Sequence, residues 1–380
     1  MSTASRHDAI VIGAGIVGAA CAAALARDGL RVLVLDASFA SSGTTAAGMG
    51  HLVAMDDSPE QLALTAYSVR LWRELAASLP RSAEYQQCGT IWVAEDDEQV
   101  EAVRAKQRVY AAAGIGSELL DERSLAAAEP YLRAGLAGGL LVPGDAVVYQ
   151  PRATLHLLDQ ARERGATIRE RCPVRSVIAN GVVLESGETL AADAVVNAAG
   201  ARAAALVPEL PVVPRKGHLV ITDRHPGMCS HQLVELGYLK SAHVMTSESV
   251  AFNLQPRATG QVLIGSSREL VGWDASINPR IVRRMLERAR DFMPALAHAS
   301  LLRTWTGFRP ATTDKLPLVG RWERLAGLWI AAGHEGLGIT TALATARILA
   351  DMIAGRPPEI DAAPYSPARV GAPDHTAAPA

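Results

Sequence analysis

Three glycines near the start of the chain have the spacing of a phosphate-binding turn. Gly13, Gly15 and Gly18 follow a short β-rich run, Ala9–Ile12, and open an alanine-rich segment that extends to Asp28. The first glycine permits a tight turn, the second lets backbone N–H groups approach a pyrophosphate, and the third lets helix and strand pack closely. This pattern predicts a dinucleotide site.

A carboxylate stands at the end of the next strand-like run. Asp36 follows Arg31–Leu35, where it could accept hydrogen bonds from a ribose diol. The alternative is an ordinary packing helix rich in glycine and alanine. The order strand, turn, helix and carboxylate favours the dinucleotide but does not choose between NAD and FAD. The predicted contacts are Gly13, Ala14, Gly15, Ile16, Val17, Gly18, Asp36 and Ala37.

The segment from Ser41 to His51 is small, hydroxyl-rich and glycine-rich. Here the sequence resembles the D-amino-acid oxidase (DAO) superfamily of FAD-dependent oxidoreductases. The resemblance implies that Gly43–Thr45 contacts the FAD pyrophosphate and that Ala47–Gly50 runs beneath the isoalloxazine. The alternative is a disordered loop. The implied contacts are Ser42, Gly43, Thr44, Thr45, Gly48, Met49, Gly50 and His51.

Three further segments extend the resemblance along the chain. Ala194–Gly200 resembles the family's second strand-to-turn fingerprint, and Val174 the strand whose backbone meets adenine. Gly333–Thr340 precedes a helical pattern, so its N–H groups and positive dipole end should face the flavin pyrimidine edge, which carries negative charge on reduction. A simple helix N-cap is the alternative. The implied contacts are Val174, Ala199, Gly200, Gly333, His334, Glu335, Gly336, Leu337, Gly338, Ile339 and Thr340.

The substrate prediction rests on Gly307–Thr312, which resembles the family's carboxylate-binding stretch. A guanidinium can make two parallel hydrogen bonds to a carboxylate and stays charged when desolvated. We therefore expect Arg309 to bind the substrate α-carboxylate, although an isolated arginine is usually a solvated surface residue. Lys216–His218 and Gly265–Glu269 look most like bacterial glycine oxidase and D-hydroxyproline dehydrogenase-type enzymes.

The resemblance implies hydride transfer from the substrate α-carbon to flavin N5, which requires positioning more than a nucleophile. His51 and His334 could assist deprotonation of the substrate ammonium or tune the pocket. Each could equally be a hydrogen-bonded core histidine. Candidate pocket walls, each also explained by core packing, are Tyr238, His243, Phe252, Asn253 and Trp305.

The elements that must position these residues change in character along the chain. The elements at the N-terminus form one βαβ unit, whose strands should be parallel. Alternating strands are expected between Pro211 and Phe308, and the charged segment Glu101–Arg108 is interpreted as a solvated helix face. The hydrophobic periodicity predicts further helices, at Pro59–Leu79, Asp97–Ala113, Arg152–Arg164, Pro279–Phe292 and Ile339–Ala354.

These elements predict an α/β fold in which a Rossmann-like FAD-binding domain is interleaved with an antiparallel-sheet α+β substrate domain. The FAD-binding domain is expected in three segments, residues 1–80, 149–210 and 311–360. The substrate domain is expected in two, residues 81–148 and 211–310. A loose tail should follow over residues 361–380.

Composition limits the classes of binding partner that we expect. The 380 residues carry a formal net charge of −2 without a block of like charges, so we expect no nucleic-acid surface. Four scattered cysteines, Cys21, Cys88, Cys172 and Cys229, suggest a reducing cytoplasm and no metal site. The apolar run Ala9–Ala26 is crowded with glycines, so no integral membrane segment is expected; a peripheral position at the inner membrane face stays open.

The substrate is expected to be a small amino acid or cyclic secondary amine, of the D-amino acid, D-proline, D-hydroxyproline, glycine or sarcosine type. The electron acceptor stays open among oxygen, a quinone and a partner subunit, as does a homo- or hetero-oligomeric state. Two rival functions share these motifs: an NAD-dependent dehydrogenase and a flavin-binding electron-relay subunit. A third, oxidation of an amine on a larger molecule such as modified tRNA, is disfavoured by the charge balance.

Overall fold

The computed structural model describes residues 7–237 and 248–370, and the chain divides into two compact units. The first consists of Met1–Ala46, Pro151–Pro214 and Arg309–Ala380, and the second of Ala47–Gln150 and Arg215–Phe308. The sequence-based boundaries after residues 148, 210 and 310 lie close to these divisions. The boundary after residue 80 does not, since the chain from Ala47 onward already belongs to the second unit.

A mixed eight-stranded sheet forms the centre of the first unit. Its strands are β1 (His7–Ile12), β2 (Val32–Leu35), β8 (Thr167–Arg169), β9 (Val174–Ile178), β10 (Gly181–Leu184), β11 (Thr189–Asn197), β17 (Leu318–Arg321) and β18 (Leu328–Ala332). The order is β17-β18-β11-β1-β2-β8, and β10 pairs with β11 and β9. β1 pairs in parallel with both β2 and β11, so the predicted βαβ unit is confirmed.

The second unit contains another eight-stranded sheet and a short β-pair. The large sheet has the order β16-β12-β15-β14-β13-β4-β6-β5. Its strands are β4 (Thr90–Ala94), β5 (Glu118–Asp121), β6 (Gly138–Val142), β12 (Val213–Arg224), β13 (Gln232–Glu235), β14 (Glu248–Pro256), β15 (Gln261–Glu269) and β16 (Leu301–Ala311). The short pair joins β3 (His51–Leu52) and β7 (Ala146–Val147). The expected antiparallel pairing is confirmed for β12 with β15, β15 with β14 and β14 with β13, whereas β13 and β4 run parallel.

The five helices predicted from hydrophobic periodicity are present, with ends shifted by a few residues, and short helices that were not predicted lie at Gly43–Ala47, Glu122–Ala128 and Ala203–Leu206. Local caps fix several of these ends: Ser58 and Asn278 each accept a backbone N–H one turn or less into the following helix, before a proline at the first helical position. The helices are α1 (Ile16–Arg27), α2 (Gly43–Ala47), α3 (Pro59–Ala76), α4 (Asp97–Ala112), α5 (Glu122–Ala128), α6 (Gln150–Glu163), α7 (Ala203–Leu206), α8 (Pro279–Phe292) and α9 (Gly338–Ile353).

Each unit has its own hydrophobic core. In the first, Ile10, Leu33 and Val195 from neighbouring strands are sealed from solvent, and α9 packs against α1. In the second, Phe252 on β14 stacks on Phe292 of α8 with ring centroids 4.4 Å apart. These separate cores show that each sheet buries its own apolar face.

Two expectations about the surface are wrong. The segment 361–370 is not loose: Tyr365 is 1% exposed, and Arg369 forms an ion pair with Asp314. The remaining tail residues, 371–380, lie outside the described part of the chain. The charged helix α4 is not simply solvated either, because Lys106 on its inner face is buried and pairs with Asp56.

The segment Glu335–Ile353 is long and apolar enough to span a membrane by length and composition, with mean hydropathy 1.3. Half of its most apolar 18-residue stretch is buried inside the structure. Its helical part, α9, packs against α1 in the core of the first unit. A buried core helix accounts for this composition.

Candidate functional site

The glycine turn between β1 and α1 is fixed by two close approaches. Gly13 has a φ of +104°, and a Cβ placed there would lie 2.5 Å from the Ala198 carbonyl oxygen. A Cβ on Gly18 would lie only 1.9 Å from the Gly13 carbonyl oxygen. Since real Cβ atoms cannot approach so closely, only glycine lets turn, helix and β11 pack together in this way.

The N-terminus of α1 is built to receive an anion. Its N-cap residue, Gly15, supplies no side-chain cap, and its first turn contains no acidic residue. The Thr45 hydroxyl accepts the Ile16 N–H at 3.0 Å, which holds the Gly43–Thr45 stretch at this helix start. The structure thus brings together two segments that the sequence predicts around a pyrophosphate.

Asp36 lies at the carboxyl end of β2, as predicted. Its Oδ2 accepts the Ala14 N–H at 2.7 Å, and its Oδ1 accepts the Ser38 N–H at 2.7 Å. These bonds fix the carboxylate beside the glycine turn and leave each oxygen a further lone pair for a hydroxyl donor. The carboxylate is therefore held at the end of β2 and can still accept a further hydrogen bond.

The second fingerprint ends β11 beside this turn. The Ala198 N–H donates to the Ile12 carbonyl at 2.9 Å, and the Asn197 side chain donates to the Ala203 carbonyl at 3.0 Å. Asn197 also accepts the Ala199 N–H at 3.2 Å. Val174 begins β9, which is antiparallel to β10. The predicted nucleotide-binding segments up to Gly200 thus belong to the first unit. The one exception is the Ala47–His51 stretch, which belongs to the second.

The glycine-rich turn near the end of the chain leads from β18 into α9. A 3-10 turn covers Glu335–Leu337, and α9 begins at Gly338 without a side-chain cap or an acidic residue in its first turn. Its positive dipole end therefore has no compensating side chain from its own first turn. This is a second anion-compatible helix start in the same unit.

Arg309 lies beside this turn. Its side chain is half-buried, and a Cβ built on Gly336 would lie 3.6 Å from the Arg309 Cδ and Nε atoms. The guanidinium stem thus packs over the turn that precedes α9. A cationic side chain and a positive helix end placed together favour an anion between them.

His334 is a core residue. Its side chain is 4% exposed, and its Nε2 lies 3.0 Å from the Thr345 hydroxyl on α9. Burial lowers the pKa of His334 to about 4, so the ring is neutral near pH 7. Of the two alternatives for this histidine, the geometry favours the structural one.

The Ala47–Gly50 stretch lies in the second unit and is held by backbone contacts. The Gln150 amide donates to the Gly48 carbonyl at 2.8 Å. Gly50 has a φ of +101°, and a Cβ there would lie 2.0 Å from the Val148 carbonyl oxygen. Met49 is buried and packs with Leu219 and Leu263. The segment is therefore ordered, and the loop alternative is wrong.

His51 follows on β3 and is half-buried. Its Nδ1 is hydrogen-bonded to Gln232 Oε1, and its Nε2 lies 3.3 Å from the Met49 sulfur. Both ring nitrogens therefore face acceptor atoms. The sequence did not single out Gln232, because its partner is 181 positions away and only the strand pairing brings them together.

The candidate pocket walls divide into three groups. Phe252 is fully buried in the stack with Phe292, so core packing explains it. Trp305 donates to the Ala47 carbonyl at 3.3 Å, and Asn253 is buried with no partner for its Oδ1 within the described residues. Tyr238 and His243 lie outside the described residues.

A groove of about 740 Å³ in the second unit lies elsewhere. Its lining includes Ile277, Val282, Leu286 and Leu301 and contains none of the predicted site residues. We therefore do not assign the substrate to it. Among the residues that the structure describes, no group of three His, Cys, Asp or Glu side chains is arranged to hold a metal ion.

Comparison with known proteins agrees with the motifs. Residues 8–352 match the family described as "DAO: FAD dependent oxidoreductase". The chain is 33% identical over 330 residues to a D-amino acid dehydrogenase of Cereibacter sphaeroides, covering 83% of this chain and 72% of the relative. It is 29% identical to a glycine oxidase of Pseudomonas aeruginosa, covering 94% and 98%. The crystal structure of glycine oxidase from Geobacillus kaustophilus superimposes with a TM-score of 0.85 at 28% identity, covering 95% and 98%.

Proposed function

Because the chain belongs to the DAO family of FAD-dependent oxidoreductases, which act on amino acids and amines, we propose that its substrate is a small amino acid or cyclic secondary amine. Oxidation removes a hydride from the α-carbon and leaves an imino acid. Bound FAD supplies the acceptor for that hydride at its N5 atom. The relatives named D-amino acid dehydrogenase and glycine oxidase support a D-amino acid, a D-proline-like ring or glycine and its N-methyl derivative.

The first unit fits FAD on its own geometry. It contains two helices, α1 and α9, that start without a side-chain cap or an early acidic residue, and a turn that admits no Cβ at Gly13 or Gly18. We assign the pyrophosphate to Gly13–Gly18 and Thr45, and the adenosine ribose to Asp36. An NAD-dependent dehydrogenase is no longer a rival, since the family uses FAD.

The observation that carries the substrate proposal is the packing of Arg309 against Gly336. The Arg309 side chain packs over the turn that precedes α9, so that both its positive charge and the helix dipole favour an anion nearby. An α-carboxylate is the anion that every proposed substrate has. Arg309 would therefore orient the amino acid through its carboxylate.

The substrate nitrogen must lose its ammonium proton before a hydride can leave the α-carbon. We assign this proton to His51, because His334 is buried, neutral and hydrogen-bonded to Thr345. An imidazole is suited to accept a proton near pH 7. Among the candidate pocket walls, Trp305 donates a hydrogen bond to the Ala47 carbonyl and so contacts the Ala47–His51 segment.

Anaerobic reduction of the purified flavoprotein tests the proposal. Glycine, sarcosine, D-proline, D-hydroxyproline and other D-amino acids are added separately, with L-proline and L-alanine as stereochemical controls. At least one of the proposed substrates should bleach the flavin absorbance within seconds to minutes. A flavin that none of them reduces, but dithionite does, would contradict the proposal and favour an electron-relay subunit.

The same samples then identify the electron acceptor. Exposure to air restores the absorbance quickly in an oxidase. Slow recovery in air and fast recovery with a soluble quinone indicates a dehydrogenase. The two results separate the acceptor classes without changing the assignment of the substrate.

A further inference from the structure

Gln232 connects His51 to the interior of the second unit. It is the first residue of β13, has no solvent exposure, and pairs in register with Thr90 on the parallel strand β4. Its Oε1 is hydrogen-bonded to the Nδ1 of His51. All of these residues belong to the second unit, so the arrangement is defined within one body.

The contacts of the Gln232 amide nitrogen fix the orientation of the amide group. The Gln232 Nε2 lies 2.9 Å from the Ala146 carbonyl oxygen and 3.2 Å from the Thr90 hydroxyl. A backbone carbonyl can only accept, so the amide nitrogen must face Ala146. Reversing the amide would place two oxygens together in a site closed to water, which is costly. The Oε1 must therefore face the histidine.

Thr90 and the neighbouring Asp145 are buried beside Gln232. The Thr90 hydroxyl oxygen lies 3.2 Å from the Gln232 Nε2 and can accept a hydrogen bond from it. Asp145 Oδ1 accepts the Ala54 N–H at 3.1 Å. Thr90 and Asp145 are at most 1% exposed. The Gln232 amide thus has an acceptor at each of the two atoms that its nitrogen faces.

We propose that Gln232 is a positioning residue that fixes His51 as the Nδ1–H tautomer, so that Nε2 is the atom that takes up the substrate proton. An amide oxygen has no hydrogen to donate, and the Nδ1 that faces it must carry the proton. The catalytic consequence rests on the proposed function. The assignment of the tautomer is independent of the proposed function.

The protonated ring also has its partners in place. The Nε2 atom lies 3.3 Å from the Met49 sulfur, a weak acceptor, so a proton on Nε2 has an acceptor beside it. The Nδ1–H continues to donate to Gln232. Charge on the ring is therefore met by an acceptor at both nitrogens, and His51 need not turn in order to change its protonation state.

Nitrogen NMR of the FAD-bound protein labelled at histidine tests the tautomer. The His51 signals are identified by their loss in His51→Gln. In the wild type at pH above the ring's titration, Nδ1 should show the chemical shift of a protonated nitrogen and Nε2 that of an unprotonated one. The opposite pattern would overturn the proposal.

Two substitutions at Gln232 separate its acceptor from its bulk. Gln232→Met removes Oε1 at similar volume, and the ring should shift toward the Nε2–H tautomer. Gln232→Glu keeps an acceptor at the same place, so the Nδ1–H pattern should persist. Ring-nitrogen shifts that stay the same in Gln232→Met would overturn the proposal. Flavin absorbance and the melting temperature verify that each variant is folded and loaded.

Kinetics then tests the catalytic part. Gln232→Met should lower kcat by roughly 10- to 100-fold, as loss of an orienting partner commonly does, with little change in the KM of the amino acid. In a His51→Gln background the same change should have no further effect. Equal kcat values in the wild type and both single variants would overturn the assignment of His51 as proton acceptor, while the NMR result would still decide the tautomer. If none of the proposed substrates reduces the flavin, the proposed function fails, and the NMR result still decides the tautomer.

Discussion

Lys106 and Asp56 form an ion pair inside the second unit, although α4 carries mostly exposed charges. The Lys106 side chain is 3% exposed and that of Asp56 12%. The ammonium also lies 4.1 Å from the centroid of the Trp92 ring and 4.8 Å from that of Tyr110. Tyr110 donates to the Ala54 carbonyl at 2.8 Å. The pair thus connects α4 to the strand that leads from His51.

Lys106→Met should destabilise the protein by about 3–5 kcal/mol, because it leaves the Asp56 carboxylate buried without its partner. The free energy of unfolding from urea titration measures the effect. The double variant Lys106→Met/Asp56→Leu should recover part of this loss. A loss below about 1 kcal/mol in the single variant would show that the pair contributes as little as a surface ion pair.

Asp145→Asn should change how stability depends on pH. Burial raises the pKa of Asp145 from 3.8 to about 7. Between these values the folded protein keeps a proton that the unfolded chain releases, so its stability falls as pH rises toward 7. Each tenfold difference in proton affinity between the folded and unfolded states corresponds to roughly 1.4 kcal/mol.

The asparagine cannot ionise and keeps an acceptor for the Ala54 N–H. The variant should therefore gain stability relative to the wild type between pH 5 and pH 8, by a few kcal/mol. Urea titrations at both pH values provide the measurement. An unchanged difference between the two proteins across this range would contradict the prediction.

Gly18→Ala should abolish FAD binding. Its added Cβ would lie 1.9 Å from the Gly13 carbonyl oxygen, so the turn and the start of α1 must separate. The flavin-to-protein absorbance ratio of purified protein measures the loss. Gly116→Ala is the matched control, since nothing lies within 4 Å of its Cβ, and it should purify fully yellow. A yellow Gly18→Ala protein would contradict this account of the turn.

Arg309→Met should raise the KM of the amino acid by about 100-fold or more, because a charge-assisted hydrogen bond contributes roughly 1.5–3 kcal/mol and the guanidinium makes two. FAD content should be unchanged. Arg309→Lys should recover only part of the loss, since an ammonium does not form the paired bonds.

Arg303→Met is the control on the same strand. Arg303 is exposed, and its guanidinium carbon lies 5.4 Å from the centroid of the Trp305 ring. This variant should keep the wild-type KM. Similar KM values for Arg303→Met and Arg309→Met would remove the carboxylate assignment.

The first βαβ unit could be predicted because its constraints are local. Gly13, Gly18 and Asp36 lie within two dozen residues, and each has a stereochemical task that few other residue types can perform. Strands in the antiparallel region were also predictable, since short β-rich runs are visible along the sequence, although β14 and β15 are buried along most of their length. The resemblance to a known family then extended these inferences to the distant segments.

What could not be predicted depends on contacts between distant residues. Lys106 lies in a charged stretch, and only a partner 50 positions away shows that it is buried. The parallel pairing of β13 with β4, which places Gln232 beside Thr90, has no local signature. Tyr365 belongs to a Pro- and Ala-rich segment that composition alone describes as loose. In each case the deciding neighbour comes from another part of the chain.

The first unit is assembled from three separate stretches of sequence, and its first helix, α1, packs against its last helix, α9. On the ribosome the glycine turn therefore emerges more than three hundred residues before the helix that completes the unit. The proposed flavin site is therefore complete only after α9 has been synthesised. A chain that stops before Gly338 would lack one of the two helix starts to which the cofactor is assigned, however well its beginning has folded.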